Sequence, residues 1–262
     1  MLELKRALDR LSLAGLPVVA VRGSERAGRV TAAHRHAPGQ LFGPTRGVLT
    51  VGTGRGLWVV ASTQAVWVPP RHLHSLRSHG AFDGASVYVA ESACADLPQA
   101  PCALPHTGLL REAIARAASW DDAPPDDARW RLAGVILDEI RSLPRDEPGL
   151  PAPRDPRAVR VARALVADPS DPRSLEEWAA WAAMAPRTLT RLFVAETGAS
   201  FGAWRQRARL ARALELLAAG TPVTTVALEL GYENTSAFIA MFKRAHGVTP
   251  ARWFDQSQKA GG

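Results

Sequence analysis

The feature that most constrains this chain is a change in the spacing of its apolar residues. Through residues 17–93, short apolar runs such as "PVVAV", "GVLTV", "LWVV", "AVWVP" and "ASVYVA" are separated by Gly, Pro and Ser/Thr at short intervals. That rhythm predicts strands packed as a small antiparallel sandwich or barrel. From "HTGLLREAIARAASW" onward the period lengthens. In "DDARWRLAGVILDEIRSL", Leu132, Ile136, Glu139, Ile140 and Leu143 fall near one helical stripe, which either forms a dimer contact or packs back on the β-rich half. Pro144 to Pro156, "PRDEPGLPAPRDP", is rich in proline and charge and propagates neither element, so the domain linker is placed there. At 262 residues the chain can bury two modest cores. The expected division is a β-rich domain at 1–105, a helical segment at 106–143, the linker at 144–156 and an all-α domain at 157–255.

Start signals punctuate the second half. Asp155-Pro156 is a cap followed by proline at the first helical position, and Ser174 opens a capping box with Glu177. Ser200, Thr221-Pro222 and Asn234 start further helices, and Gly231 can end one of them. A weak repeat lies among these signals. "LFVAETG" (192–198) and "MFKRAHG" (241–247) share an apolar pair and a glycine at the same distance from it, and each follows a short helix, a tight turn and a second helix. That is the outline of a helix-turn-helix, present twice and joined by one long helix.

The two second helices have distinct faces. In the later copy Phe238, Met241, Phe242 and Ala245 form the inward stripe, which leaves Thr235, Ser236, Ile239, Ala240 and Lys243 on the other side. In the earlier copy Leu189, Leu192 and Phe193 turn inward, and Arg187, Thr188, Thr190 and Arg191 remain available. Arg187 and Arg191 are one turn apart and share a face. Arginine pairs bidentately with guanine, hydroxyls serve several bases, and Ala or Ile contacts the thymine methyl. Asn234 sits at the start of the later helix, and Lys243, Arg244, Arg205, Arg207 and Arg209 suit phosphate contacts. A solvated bundle surface is the plain alternative for either copy alone.

Charge agrees with an anionic partner without proving one. The net charge is +7, of which +3 lies in residues 1–154 and +4 in the shorter 155–262. The two cysteines, Cys94 and Cys102, do not make a disulfide framework or a zinc signature. They are expected as thiols in a reducing compartment. No apolar run has the length of a membrane span. "LSLAGLPVVAV" follows Lys5 and Arg6, but Glu3 and Asp9 spoil a basic leader, so the expected location is cytoplasmic.

The stretch from about Asp155 to Phe254, and most specifically "ALELGYENTSAFIAMFKRAHGVTPARW", resembles the DNA-binding region of AraC/XylS-type transcriptional regulators. The resemblance implies two helix-turn-helix units whose recognition helices enter successive major grooves of promoter DNA. It implies DNA contact by Arg187, Thr188, Thr190, Arg191, Asn234, Thr235, Ser236, Ala240, Lys243 and Arg244. Departures from the family pattern are Ala185 at the cap before Pro186, Ala183 at the usual turn glycine, Trp181 at a usually polar position, and Ala240 where some relatives carry arginine.

In the β-rich half, "TAAHRHAPGQLFG" sets His34, His36 and Gln40 in an H-x-H-x3-Q spacing, and "WVPPRHLHSL" adds His74. Residues two apart on a strand share a face, so His34 and His36 can converge, and a third imidazole from a neighbouring strand, His74, completes a divalent transition-metal set with Gln40 as a weak oxygen ligand. The spacing resembles the two short motifs of the cupin barrel, with Gln40 in place of a glutamate and Arg71 in place of a glycine. A barrel that keeps the shape without an ion is the alternative. Trp58, Trp67, Phe42 and Leu57 are candidate pocket or core residues.

The expected fold is therefore α+β: an N-terminal antiparallel β cupin-like barrel followed by helices, then an all-α double helix-turn-helix domain. The expected function is sequence-specific transcriptional regulation by a non-enzyme. Its first domain would sense a small molecule or metal ion, its partners would be double-stranded promoter DNA and an effector, and it would form a homodimer with no membrane association. The rivals are a metal-dependent cupin enzyme fused to a DNA-binding domain, and a non-specific nucleic-acid-binding protein.

Overall fold

A computed structural model describes residues 9, 11, 15–121, 125–147 and 149–259, with side chains through Asp255. The leader candidates Glu3, Lys5 and Arg6 lie outside the described residues. Packing divides the chain into two units, one of Met1–Thr53, Val60–Glu147 and Ser257–Gly262, the other of Gly54–Val59 and Pro148–Gln256.

The first unit is the β-rich one. Its strands are β1 (Val18–Glu25), β2 (Val30–His34), β3 (Gly39–Thr53), β5 (Gln64–Val68), β6 (His74–Val89) and β7 (Cys102–Pro105). All pairings are antiparallel: β6 holds β1, β2 and β3, while β5 bridges β3 and β7. The antiparallel β half followed by helices is as expected, but among the described strands no pair joins β1 to β7, so no ring of hydrogen bonds closes the barrel. The β3–β6 register shifts between Pro44 and Val48. An inserted residue reverses which side chains face inward, so Gln40 and Phe42 before the bulges and Leu49 after them line the same cavity.

Two helices follow, α1 (Gly108–Ala117) and α2 (Asp127–Ser142), capped by the side chains of Thr107 and Asp126. Ala133, Ile136 and Ile140 join Leu41, Trp67 and Leu104 in one buried cluster, with Leu132 and Leu143 packed against it. The apolar stripe of α2 therefore packs back on the sheet, and Trp130 is left exposed on its other side. Trp67 is fully buried and its indole N–H donates to Pro98 O at 2.8 Å, which satisfies the one polar atom it takes inside.

The proline-rich stretch is not featureless. Asp146 exchanges backbone hydrogen bonds with Ala103, and β8 (Leu150–Pro151) pairs with Gly56 and Leu57 of β4 (Gly56–Val60). Glycine is required at 56: its φ is 141°, and a Cβ there would lie 2.3 Å from Leu150 O. Residues 54–59 thus pack with the helical unit, an attachment that a linear reading of strand signals has no means to express.

The second unit contains α3 (Pro156–Ala167), α4 (Leu175–Trp181), α5 (Pro186–Thr197), α6 (Phe201–Ala218), α7 (Val223–Glu229), α8 (Thr235–His246) and α9 (Pro250–Lys259). The cap signals perform as read. Asp155, Ser200 and Asn234 accept from backbone N–H groups, and Ser174 with Glu177 forms a complete capping box. At α7 the N-cap is Pro222 rather than Thr221, with no side-chain bond.

Candidate nucleic-acid interface and histidine cluster

The helical unit has two cores strung on one rod. Leu165, Trp178, Leu189 and Phe193 pack with Phe201, Trp204 and Ala208, the first half of α6. Val226, Leu230, Phe238, Met241 and Phe242 pack with Ala213, Leu214, Leu216 and Leu217, its second half. At 1.5 Å per residue, the 18 residues of α6 extend about 27 Å, so each helix-turn-helix is fixed to its own end of a stiff connector.

On α5 the inward residues Leu189 and Phe193 are fully buried, and Leu192 is half-buried. Arg187 and Arg191 are exposed and, with Thr190, Val194 and Leu175, line a shallow concavity. Thr188 is half-buried. The Thr190 hydroxyl donates to Pro186 O at 3.1 Å, so it can offer a partner only its lone pairs. On α8, Ser236, Ala240, Lys243 and Arg244 are exposed and Thr235 is half-buried, while Asn234 uses its side-chain oxygen to cap the helix. Two sequence assignments change. Ala245 is exposed, since the stripe ends with Phe242, and Ile239 packs against the core instead of facing out.

The turn geometry explains the departures noted in the sequence. Ala183, between α4 and α5, has φ 53°, the left-handed conformation that favours glycine. Ala185 caps α5 without a side-chain hydrogen bond. Trp181 is exposed, set edge-to-face on Trp178, with the Arg160 guanidinium 4.9 Å from its ring centre. Arg205 and Arg209, expected at phosphates, hydrogen-bond within the helical unit. Arg205 donates to Arg173 O at 2.8 Å and Asp171 O at 2.6 Å, and Arg209 to Pro169 O at 3.0 Å, so both staple α6 to the loop before α4. Glu196 accepts from the N–H groups of Arg154 and Asp155, and Trp204 Nε1 donates to Pro151 O at 2.7 Å, contacts that no local pattern announces.

In the β-rich unit the structure brings His34, His36 and His74 together, with one ring nitrogen from each within 4.8 Å of the others. His34 ends β2 and is the register partner of His74 on β6, while His36 reaches in from the loop before β3. Nδ1 of each ring contacts a backbone carbonyl: Ala32 O for His34, Pro38 O for His36 and His72 O for His74. A carbonyl only accepts, so each Nδ1 carries the proton and each Nε2 keeps its lone pair. His74 is buried, and its Nε2 has no partner among the described residues. His36 Nε2 lies 2.8 Å from Gln40 Oε1, two acceptors together unless a cation is shared or the amide turns its NH2 toward the ring.

Burial pushes the His74 imidazole down to about 4 and lowers His36 as well, so both are neutral at ordinary pH, the form that ligates metal. Carbonyl-anchored neutral imidazoles around an orphaned buried nitrogen fit a divalent late first-row transition metal. Gln40 Oε1 lies beside the His36 nitrogen that would ligate, the place of a further oxygen ligand, and Arg71, at the motif's glycine position, holds φ 62° while forming a bidentate pair with Glu91.

A helix-turn-helix domain family matches residues 178–256. The HTH-type transcriptional regulator NimR of Escherichia coli strain K12 is 34% identical over 221 residues, covering 84% of this chain and 81% of that protein. That span is too long to lie in the helical unit alone, so the β-rich half belongs to the likeness and the enzyme alternative falls. The HTH-type transcriptional regulator RipA of Corynebacterium glutamicum is 43% identical over 120 residues, 46% of this chain and 34% of that protein. Among solved structures, ToxT from Vibrio cholerae aligns over 92% of this chain and 98% of its own at 11% identity, with a TM-score of 0.41. With paired helix-turn-helix units on one connector and a regulator aligned across most of its length, the chain belongs to the AraC/XylS-type DNA-binding transcriptional regulators.

Proposed function

We propose that the two helix-turn-helix units read one promoter site together, and that the β-rich unit adjusts this binding in response to a metal ion or small molecule. The exposed basic faces of α5 and α8, mounted on the two ends of α6, are the observation that supports it most. Arg187 and Arg191 would read bases and Thr188 and Thr190 would accept hydrogen bonds, whereas Ser236, Thr235 and Ala240 would contact the second groove. Lys243, Arg244 and the N-terminal Asn234 would fix register on phosphates. His34, His36 and His74 would hold a divalent ion, with Gln40 as a weaker oxygen ligand beside His36. Such an ion would supply a positive coordination centre tying β2 to β6. The division at 1–105, 106–143, 144–156 and 157–255 serves as the functional map, with 54–59 packed on the last part.

We place self-association on the outer side of α1 and α2, around the exposed Leu109 and Trp130, because the inner side of α2 is occupied by the sheet. Selecting bound DNA from a random pool and repeating the binding with Zn2+, Co2+ or EDTA tests the reading. It expects a defined motif whose affinity changes between ion and chelator. Equal affinity for selected and random DNA would overturn it in favour of non-specific binding.

A further inference from the structure

We infer that the cavity of the β-rich unit is built for a compact, planar, uncharged aromatic molecule carrying one polar group. The inference rests on the reading of this unit as the effector receiver. The cavity measures about 300 Å3, at the small end of ligand pockets, with room for roughly a dozen non-hydrogen atoms.

Its floor is nearly free of side chains. The antiparallel register sets Gly23 of β1 opposite Gly84 of β6, so both present bare backbone to the cavity, while Gly43 of β3 adds backbone beside them and the Ala85 methyl packs into the core on the other face. Two of these glycines are enforced by packing. A Cβ at Gly43 would lie 2.8 Å from His106 Nε2, and one at Gly84 would lie 2.8 Å from Gly43 O and 2.9 Å from the Phe82 ring. Around this flat floor stand Phe42, Phe82, Tyr88, Leu49 and Leu76. Peptide planes below and aromatic rings beside them favour a flat ring over a branched or puckered one.

The two ends differ. His34, Gln40 and Tyr88 mark the polar end, beside the histidine cluster. At the other end Glu25, the register partner of Phe82, pairs with Arg29 at 2.9 Å. That pair offsets the ionic groups of the lining, so without an ion at the histidine cluster a charged ligand would meet no further counter-charge in a largely apolar space. Thr31, Ser78 and Ser86 also line the cavity, with Ser78 Oγ held by the Arg29 N–H, but a sugar would still set most of its hydroxyls against Phe42, Leu49, Leu76 and Phe82. One polar group, directed at the histidine end, is what the walls can satisfy.

The test is isothermal titration of the full chain with 2-naphthol, glucose and decanoate, each in EDTA and with Zn2+ present. Saturable one-to-one binding of 2-naphthol in at least one of the two conditions is expected, with no heat from the other two in EDTA. Gly23→Leu supplies the control. A Cβ at Gly23 meets nothing within 4 Å, so the added side chain enters the cavity without a clash, and it is expected to weaken 2-naphthol binding at least tenfold. Should that variant fail to fold, Phe82→Ala removes one aromatic wall and is expected to weaken binding several-fold. Failure of 2-naphthol to bind, preference for decanoate or glucose, or affinity indifferent to these variants would overturn the inference. A complex that forms in the cavity yet leaves promoter affinity unchanged would instead overturn the effector reading and leave the ligand site standing.

Discussion

His74 lies directly across the β2–β6 pairing from His34, with the two imidazole rings 4.4 Å apart and His36 closing the triangle 5.0 Å from His74. Three rings with their Nδ1 protons committed to carbonyls turn lone pairs toward one another, an arrangement that a cation stabilises. Zn2+ or Co2+ should therefore raise the thermal midpoint of the full chain, because binding to the folded form alone adds RT ln(1 + [L]/Kd). His74→Ala should abolish the increment, whereas Gln40→Ala, which removes only a weak oxygen ligand beside His36, should reduce it without abolishing it. Absence of any metal-dependent shift would remove the ligand role.

Ala183 occupies a left-handed conformation at φ 53°, in the turn that sets the angle of α5. An L-residue there costs roughly 1–2 kcal/mol, part of which glycine returns as lost chain entropy. Ala183→Gly should stabilise the protein by about 0.5–1 kcal/mol in urea denaturation. Destabilisation would mean that the Ala183 methyl makes packing contacts that outweigh the backbone strain.

The two recognition helices are unequal. The first presents Arg187 and Arg191, exposed on one face, whereas the second offers Ser236 and Ala240. Arg191→Ala should relax sequence preference by about 1–3 kcal/mol, the range of a bidentate base contact, and by more than Ser236→Ala. Gel shifts on matched and mismatched sites compare the two, and the reverse order would defeat the assignment.

His246 ends α8 with its ring 4.6 Å from Phe242, and its buried Nε2 lacks a partner among the described residues. Burial lowers its pKa below the ordinary 6.5, so the unfolded chain takes the proton first. Its contribution to stability is complete above that value and is lost as pH falls from about 6.5 through the folded pKa. His246→Leu should flatten the fall in urea midpoint between pH 7.5 and pH 5.5. His36, His74 and His106 are lowered by burial too and keep a residual slope. An unchanged slope would show that His246 is not titrating against burial.

Local chemistry was legible in the sequence wherever a signal is short-range. Ser174, Ser200 and Asn234 announced helix starts because a cap needs only its own next turn, and Phe238 and Phe242 announced a core because burial follows helical period. The meeting of His34, His36 and His74 was expected from strand alternation, yet only His34 and His74 sit on strands and His36 arrives from the loop before β3. What escaped was long-range: Arg205 and Arg209 carry charge suited to phosphate, yet their partners are carbonyls 32, 34 and 40 positions away. The bulges that bring Gln40 and Leu49 to one cavity, and the packing of 54–59 with the helical unit, depend on pairings that no local pattern encodes.

The central claim is that α5 and α8, held at the two ends of α6, address one side of a duplex. Hydroxyl-radical footprinting of the full chain on a selected site tests it most directly. The account predicts two protected patches on the same face, spaced one helical turn apart at about 10–10.5 base pairs, with Arg187→Ala/Arg191→Ala erasing one and sparing the other. A single patch, or two on opposite faces, would contradict it.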